Sequence, residues 1–289
     1  MKVIFINTSN IGDLISCLGY AKKISEDFEK SYFVTREGHE AILCRENWVT
    51  TVSKEEILKM DFDFVYDFSS SKVSRKIVKI AKSKEKIGFV KNRLDAFFSP
   101  YTKTRKRKSG HIVKGYDLIG TETQIPQLTN VKITENDEVA IHIGARNPIR
   151  NIPIFLVEQI IDFLLKNNKK IYIFGDSKED LERLKNRFDV EIFSGDLYEL
   201  KKLLSQISLF IGSDSGPLHI STALGTKSIG FFGPNIPENS APLQNIEIVQ
   251  KKLSCRPCNQ NLVCPRNIEC LKTLDFKKDI LPKLETSIK

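Results

Sequence analysis

Short apolar segments alternate with longer amphipathic stretches along most of the chain. Apolar runs of this length predict buried β-strands, and the amphipathic stretches between them predict helices. The predicted strands are Val3–Asn7, Tyr32–Thr35, Phe62–Phe68 and Lys86–Phe89 before residue 100, and Val139–Ile143, Ile171–Phe174, Glu191–Phe193, Leu209–Ile211, Ser228–Phe232 and Glu247–Val249 after residue 136. Strands joined by helices pair in parallel through right-handed crossovers, so each half is expected to form a doubly wound α/β layer.

A polar segment without periodicity, Thr121–Asn130, separates the two halves. Such a segment predicts a linker. A chain of 289 residues is long enough to bury two modest cores. We therefore expect two domains, residues 1–130 and residues 131–289.

Residues 207–234 predict a strand, a helix and a second strand, with polar residues only where the first strand meets the helix. Pro217 suits the first turn of a helix, so residues 214–216 are expected at the strand end and the helix start. The unsatisfied N–H groups there suit a phosphate or pyrophosphate, and His219, one turn further, can add a hydrogen bond or a charge. The structural alternative is that Asp214 or Ser215 only caps the helix.

The beginning of the chain repeats this arrangement of strand, polar loop and helix. The strand Val3–Asn7 is followed by Gly12 and Asp13, and then by an amphipathic stretch that reaches Phe28. Glycine permits a tight turn and the close approach of a ligand. Asp13 can either cap the helix or act as a base above the carboxyl end of the sheet.

Five motifs follow one another in an order that resembles a known enzyme family. They are the Gly12-Asp13 loop, Phe64–Phe68 with Lys86–Phe89, His111–Tyr116, His142–Pro153, and Asp214-Ser-Gly-Pro-Leu-His219 with Ala223–Thr226 and Phe232–Pro234. The set resembles glycosyltransferase family 9, which contains the lipopolysaccharide heptosyltransferases, and the resemblance extends over most of the chain. Two departures concern the site. Ser69-Ser70 replaces the family's Gln-Gly, which bears on acceptor contacts, and Arg150-Asn-Ile152 replaces Lys-Arg-Trp but keeps a cation.

The resemblance implies a GT-B fold, with two doubly wound Rossmann-like domains facing a cleft. It implies an acceptor-binding first domain and a second domain that binds a nucleotide sugar. The implied activity is inverting transfer of a heptose from ADP-heptose to a lipopolysaccharide core acceptor, with Asp13 as base and no required cofactor. The implied donor-binding residues are Gly144, Ala145, Arg146, Arg150, Asp214, Ser215, Gly216 and His219, and the implied acceptor-binding residues are Gly12, Lys72, Arg75 and His111. The alternatives are transfer of another nucleotide-linked sugar and a non-catalytic basic protein that binds membranes or nucleic acid.

The positive charge is concentrated in the first half of the chain. The net charge is +9, and the stretch from Lys72 to Lys114 alone carries 15 Lys or Arg against two acidic residues. A helical period over residues 70–86 is expected to bury Val73, Ile77, Ile80 and Ala81 and to expose Arg75, Lys79, Lys82 and Lys86. Most of these lysines fit a solvated face. The cluster Arg105–Lys108 favours an anionic membrane or glycolipid acceptor over nucleic acid, because aromatic residues are not interleaved with it and no nucleic-acid motif is present.

Four of the six cysteines fall within a short segment near the end of the sequence. Cys255, Cys258, Cys264 and Cys270 have the spacing Cys-x2-Cys-x5-Cys-x5-Cys. Four thiolates on short loops can hold a structural zinc ion, although the spacing differs from the common ribbon pattern. Free thiols or redox pairs are the alternative, because stable disulfides are rare in the cytoplasm.

The overall composition is that of an ordinary globular protein, with 40% hydrophobic and 28% charged residues. No run of 18 apolar residues is present, and a predicted strand follows Met1-Lys2 without a signal-peptide pattern. We therefore expect a cytoplasmic protein that makes peripheral contact with the inner face of the cytoplasmic membrane. Its expected partners are a nucleotide sugar and an anionic glycolipid acceptor, and no nucleic acid.

Overall fold

The computed structural model describes residues 1–129, 136–258 and 264–288, and the chain divides into two compact units. The first unit is Met1–Thr129 and the second is Asn130–Lys289. Asn130, the last residue of the predicted linker, lies outside the described residues.

The first unit is built on a six-stranded parallel sheet with the strand order β3-β2-β1-β4-β5-β6. Its strands are β1 (Lys2–Asn7), β2 (Lys30–Thr35), β3 (Thr50–Thr51), β4 (Asp61–Asp67), β5 (Lys82–Phe89) and β6 (Lys103–Arg105). Its helices are α1 (Ile11–Ser25), α2 (Lys54–Ile57), α3 (Lys72–Ile80) and α4 (Arg93–Phe97), with single 3-10 turns at His39–Leu43 and Lys114–Tyr116. This strand order is that of a Rossmann-type sheet.

The second unit repeats the architecture with the strand order β12-β11-β10-β7-β8-β9, again all parallel. Its strands are β7 (Glu138–His142), β8 (Lys170–Phe174), β9 (Glu191–Ile192), β10 (Leu209–Ser213), β11 (Lys227–Phe232) and β12 (Ile246–Gln250). Its helices are α5 (Ile154–Lys166), α6 (Lys178–Arg187), α7 (Leu197–Gln206), α8 (Gly216–Ala223), α9 (Pro237–Ser240), α10 (Glu269–Lys272) and α11 (Leu281–Ser287), with a 3-10 turn at Pro148–Arg150 and a π turn at Phe276–Ile280.

The central strands of both sheets are buried on both faces. In β1, Val3 and Phe5 point to one face and Ile4 and Ile6 to the other, and all four are fully buried. Phe210 and Ile211 of β10 are likewise fully buried on opposite faces. Burial on both faces requires cover on both sides of each sheet, which confirms the two doubly wound layers expected from the apolar runs.

All ten predicted strands are present, and the two further strands of the described residues are short strands at sheet edges, β3 and β6. The predicted helical run over residues 70–86 is wrong beyond residue 80. The helix α3 ends at Ile80, and Lys82 starts β5, where it pairs with Asp61 of β4. Pairing with β4 therefore overrides the helical period at residues 82–86. Two residues of α3 that were expected to be buried are exposed instead, Val73 by 51% and Ile80 by 44%.

The predicted linker packs, as far as Thr129, against the first unit. The Thr129 amide and hydroxyl both donate hydrogen bonds to the Glu46 carboxylate. A Cβ atom added to Gly19 of α1 would lie 2.7 Å from the Gln124 carbonyl oxygen, so only glycine admits this segment so close to the helix. Of the helices in the described residues, none is long and apolar enough to cross a membrane.

Candidate functional site

Polar loops that follow two neighbouring strands of the first sheet meet at its carboxyl edge. The Thr8 hydroxyl, after β1, lies 3.5 Å from the Ser69 hydroxyl and 3.2 Å from the Ser71 hydroxyl, both after β4. Ligands of doubly wound folds bind at this edge, so the contact locates the candidate site of the first unit.

Asp13 lies in the first turn of α1, directly beside these loops, and does not cap the helix. The capping position is Asn10, and its side chain makes no capping hydrogen bond. The Tyr116 hydroxyl donates a hydrogen bond of 2.6 Å to Asp13 Oδ1. No described residue donates a hydrogen bond to Asp13 Oδ2. The carboxylate is thus held by one oxygen, and the other oxygen can accept a proton from a ligand.

The Tyr116 side chain, which binds Asp13, is held in place by its burial and by a stacked arginine. Its ring is buried, and burial together with the charge of Asp13 raises the pKa of its hydroxyl, so that it stays protonated and can donate. The Arg107 guanidinium lies between two rings, 4.6 Å from the centroid of Tyr116 and 4.4 Å from that of Phe89, and donates to the Phe68 carbonyl oxygen. The Asp13 carboxylate is therefore held by the buried Tyr116, whose ring is stacked against the Arg107 guanidinium.

The predicted acceptor-binding residues lie on three segments of the first unit, which are α1, α3 and the loop before the 3-10 turn at Lys114–Tyr116. Gly12 adjoins Asp13 in α1, and Lys72 is exposed at the start of α3. Arg75 forms a two-pronged ion pair with Asp95, at 2.5 and 3.0 Å, which also lowers the pKa of Asp95 to about 2. His111 accepts a local hydrogen bond at Nδ1 from the Val113 amide. Within the motif His111–Tyr116, a 3-10 turn forms at Lys114–Tyr116.

A buried carboxylate at the end of β4, Asp67, was not among the predicted site residues. Asp67 Oδ1 accepts hydrogen bonds from the Ser69 and Ser70 amides, and Oδ2 accepts one of 2.7 Å from the Tyr101 hydroxyl. Burial raises the pKa of Asp67 in spite of these donors. Ser70 has a φ of +49°, a conformation that favours glycine.

The second unit presents a helix start at the corresponding edge of its sheet. α8 begins at Gly216, with Pro217 in its first turn, and its capping residue Ser215 makes no side-chain capping bond. The Ser215 hydroxyl instead donates to the Ser213 carbonyl oxygen and lies 3.1 Å from His142 Nδ1. His219, one turn into the helix, is 8% exposed. The first-turn N–H groups are thus not occupied by the cap, and an anion can accept from them.

Asp214 and Arg150 lie side by side at this helix start. Arg150 Nη1 is 3.6 Å from Asp214 Oδ2 and 3.4 Å from the Asp214 carbonyl oxygen. The Asn235 side-chain amide also donates to Asp214 Oδ2. The carboxylate is therefore turned away from the helix cap, and it holds Arg150 next to residues 214–216. The interpretation of Asp214 or Ser215 as a simple helix cap is wrong.

His142 and Gly144 complete the edge of the second sheet. The His142 ring is 4.8 Å from the Phe174 ring, and burial lowers its pKa to about 4, so the imidazole is neutral at physiological pH. The Gly144 carbonyl oxygen accepts a 2.6 Å hydrogen bond from the Ser213 hydroxyl. Of the two residues that follow, Ala145 is buried and Arg146 is exposed. The backbone of this loop is thus tied to β10, directly before the α8 start.

The cysteine-rich segment is attached to the same edge by Arg256. Its guanidinium donates to the carbonyl oxygens of Phe232, Asn235 and Lys251. Cys255, Cys258, Cys264 and Cys270 are all free thiols. Within the described residues no group of three or more His, Cys, Asp or Glu side chains could hold a metal ion, and the predicted segment's residues 259–263 lie outside them.

Two exposed residues of the basic cluster Arg105–Lys108 contact other residues of the first unit. Arg107 is stacked as described above, and Lys108 forms a 2.5 Å ion pair with the buried carboxylate of Asp117. Asp117, nine residues after Lys108, is thus an acidic partner of the cluster. Arg105 and Lys106 are exposed.

Comparison with known proteins identifies the family. Residues 121–266 match the model of glycosyltransferase family 9 (heptosyltransferase). A stretch of 83 residues is 41% identical to lipooligosaccharide heptosyltransferase 2 of Campylobacter jejuni, but it covers only 27% of this chain and 26% of that relative. Lipopolysaccharide heptosyltransferase 1 of Campylobacter coli is 25% identical over 290 residues, which cover 81% of this chain and 84% of the relative.

The solved structures agree on the fold. The structure described as E. coli ADP-heptose lps heptosyltransferase II superposes with a TM-score of 0.78 at 15% identity, covering 100% of this chain and 98% of that one. Two parallel α/β units with this similarity confirm the GT-B fold class. Because the matched segment 121–266 spans half of the chain and includes the α8 start, the chain belongs to glycosyltransferase family 9, the heptosyltransferase family.

Proposed function

We propose that the chain is an inverting glycosyltransferase that moves a heptose from ADP-heptose to a lipopolysaccharide core acceptor. The observation that carries the proposal is the Asp13 carboxylate, which is held through one oxygen by Tyr116 and is not used as a helix cap. The names of the C. coli relative and of the E. coli structure, which mention lipopolysaccharide and ADP-heptose, support this acceptor and donor.

In the proposed reaction, the first unit binds the acceptor and supplies the base. Asp13 removes the proton from an acceptor hydroxyl while that oxygen forms a bond to the anomeric carbon. The bond from the anomeric carbon to the phosphate oxygen breaks on the opposite face, and its electron pair leaves with ADP. Attack opposite the leaving group inverts the anomeric configuration. Gly12, Lys72, Arg75 and His111 remain the proposed acceptor contacts, although Arg75 would first have to exchange its partner Asp95.

The second unit is proposed to bind the donor and to stabilise the departing diphosphate. The N–H groups at the start of α8, from Ser215 and Gly216, have no side-chain cap, and Arg150 lies beside them. Fixed N–H groups and a cation stabilise negative charge as it develops on the leaving group. His219 adds a hydrogen bond, and Gly144, Ala145, Arg146 and Asp214 line the same edge. No cofactor enters this scheme.

The location follows from the proposed acceptor. A lipopolysaccharide precursor is anchored in a lipid bilayer, so we place the enzyme in the cytoplasm, at the inner face of the cytoplasmic membrane. Transfer of a different nucleotide-linked sugar is the second candidate, because α8 would bind the diphosphate of any such donor.

A panel of nucleotides and nucleotide sugars tests the proposal directly. ADP-heptose and ADP at about 100 times their dissociation constant should raise the melting temperature by about 5 °C or more, and UDP- and GDP-sugars should not. Incubation with ADP-heptose and a heptose-deficient lipopolysaccharide core should then release ADP and give a product of inverted anomeric configuration. Stabilisation by another nucleotide sugar would favour the second candidate, and stabilisation by none would favour a non-catalytic protein.

A further inference from the structure

The most exposed large apolar side chains of the described residues lie together on and beside α4. Leu94 is 68% exposed, Phe97 is 81% exposed and Phe98 is 71% exposed. The two phenylalanine rings pack edge to face, with their centroids 5.1 Å apart. We call Leu94, Phe97 and Phe98 the α4 patch. Adjacent exposed aromatic residues of this kind mark a surface that contacts a protein or a membrane.

The α4 patch stands on a rigid support. The Asn92 side chain accepts a hydrogen bond from the Asp95 amide and so caps the helix. The Asp95 carboxylate accepts hydrogen bonds from Arg75 and from the Lys91 amide. Because the polar residues of the turn are tied to α3, the apolar ones are presented outwards instead of folding back onto the unit.

The charges around the α4 patch are positive. Lys91 and Arg93 are exposed beside it, and within the described residues neither side chain forms an ion pair. The two acidic residues between Lys72 and Lys114 are both neutralised, Asp95 by Arg75 and Glu85 by Lys103. The exposed lysines of α3, which is joined to α4 through Arg75, extend the positive surface; they are Lys72, Lys76 and Lys79.

We propose that the α4 patch is a membrane-docking surface, in which Phe97 and Phe98 insert into the interface of an anionic bilayer and Lys91 and Arg93 bind its headgroups. Aromatic side chains flanked by cations are what an interface-bound segment requires. A second copy of the chain fits less well, because a two-fold contact would bring identical positive patches together. The inference rests on the proposed function in one respect: the bilayer is the one that holds the glycolipid acceptor.

Vesicle binding by the full-length chain, without nucleotide or acceptor, tests the docking surface. We expect co-sedimentation with vesicles of phosphatidylethanolamine and phosphatidylglycerol, and little with phosphatidylcholine alone. The double variant Phe97→Ser/Phe98→Ser should weaken binding by about tenfold or more. Lys91→Gln/Arg93→Gln should weaken it by about tenfold and reduce its salt dependence.

Matched variants in the second unit are the controls. Phe155 is 44% exposed on α5, and Lys178 and Lys185 are exposed on α6. Phe155→Ser and Lys178→Gln/Lys185→Gln should bind vesicles like the wild type. As a second readout, the emission of a Phe98→Trp variant should shift to shorter wavelength with anionic vesicles, because the new indole leaves water.

Three results would contradict the docking surface. The first is vesicle binding by Phe97→Ser/Phe98→Ser equal to that of the wild type, and the second is wild-type binding to anionic vesicles no stronger than to phosphatidylcholine. The third is a wild-type dimer in sedimentation velocity that the double variant loses without a change in vesicle binding, which would assign the patch to self-association. Transfer to a delipidated, soluble core acceptor separates this proposal from the enzymatic one, because the double phenylalanine variant should retain it. Absent transfer with intact vesicle binding would contradict the proposed function alone.

Discussion

Asp13 and Tyr116 form the contact on which the proposed chemistry depends most. They are 103 residues apart in sequence and joined by a 2.6 Å hydrogen bond from a phenol to a carboxylate. Such a charge-assisted bond holds the carboxylate in one orientation. Since the Tyr116 ring is buried and Arg107 is stacked on it, the orientation of Asp13 is set by the interior of the first unit.

Replacing the base with its amide tests the role of Asp13. We expect Asp13→Asn to lower turnover by about 10²- to 10⁴-fold, because the amide cannot take the proton from the hydroxyl of the acceptor sugar. Its oxygen can still accept from Tyr116, so the free energy of unfolding should fall by about 1 kcal/mol or less. Steady-state kinetics and calorimetric ADP binding provide the measurement. Full activity with the lipopolysaccharide acceptor would show that the base is another residue.

Tyr116→Phe tests the positioning of the base. Without this hydrogen bond the Asp13 carboxylate loses its fixed orientation towards the acceptor hydroxyl, so we expect turnover to fall by about tenfold or more while ADP affinity is unchanged. Tyr101→Phe is the matched control, because Tyr101 donates a similar bond to Asp67 instead. That variant should lose stability but keep its turnover. Equal losses of turnover in the two variants would point to a general effect on folding.

Arg150→Ala tests the donor site of the second unit. The guanidinium lies beside the uncapped start of α8, and removing one charge-assisted bond to the diphosphate should weaken ADP binding by about tenfold or more. Arg187→Ala, at an exposed arginine of α6 that pairs with Glu158, should not change it. ADP affinity within about twofold of wild type for Arg150→Ala would move the donor site elsewhere.

At the scale of elements, the end of β7 and the start of α8 are joined by His142 and Ser215. β7 and β10 are neighbours in the sheet, and Ser213 at the end of β10 binds the Gly144 carbonyl oxygen of the loop after β7. Three elements, β7, β10 and α8, therefore set the geometry of the proposed phosphate site. Because His142 is buried and neutral at this junction, the junction should weaken in acid.

The pH dependence follows from the sign of the His142 shift. Burial lowers its pKa from 6.5 to about 4, so in this interval the unfolded chain binds a proton that the folded one does not. Stability is therefore lost as the pH falls below about 6.5. We expect His142 to account for a loss of about 2 kcal/mol in unfolding free energy between about pH 7 and pH 5.

Denaturant unfolding at both pH values measures this loss. A His142→Gln variant carries no titrating imidazole, so it should lose about 2 kcal/mol less than the wild type over the same interval. Identical pH dependence in the two proteins would show that His142 is protonated in the folded state or exposed to water.

At the scale of the whole molecule, the two units repeat one architecture but present different chemistry at their sheet edges. The first has a carboxylate held by a tyrosine, and the second has a helix start with an adjacent arginine. The strand order is the same in both, so the difference comes from the loops after the strands and not from the sheets.

Hydrogen exchange of the full chain with and without ADP tests this division. We expect at least about tenfold slower exchange at the start of α8 and in the loop around Gly144, because bound phosphate accepts from these amides. Amides of Gly12 and Asp13 should exchange at unchanged rates. Protection of the Gly12-Asp13 loop with none at α8 would contradict the assignment of the donor to the second unit.

The sequence by itself determined the strands and the order of the motifs. A short apolar run such as Leu209–Ile211 predicts a buried strand without reference to the rest of the chain. Gly216-Pro217 likewise predicts a helix start from local preferences alone. The pattern failed at residues 81–86, where a helical period and a strand compete, and at the edge strands β3 and β6, which contain no apolar residue.

Only the tertiary structure decided which polar groups meet. The partner of Asp13 is Tyr116, that of Lys108 is Asp117, and those of Asp214 are Arg150 and Asn235. Local patterns report the burial of a residue and the period of its neighbours, but not which distant segment packs beside it. The exposed α4 patch has the same origin, because Phe97 and Phe98 remain in water only where the pairing of Asp95 with Arg75 turns them outwards.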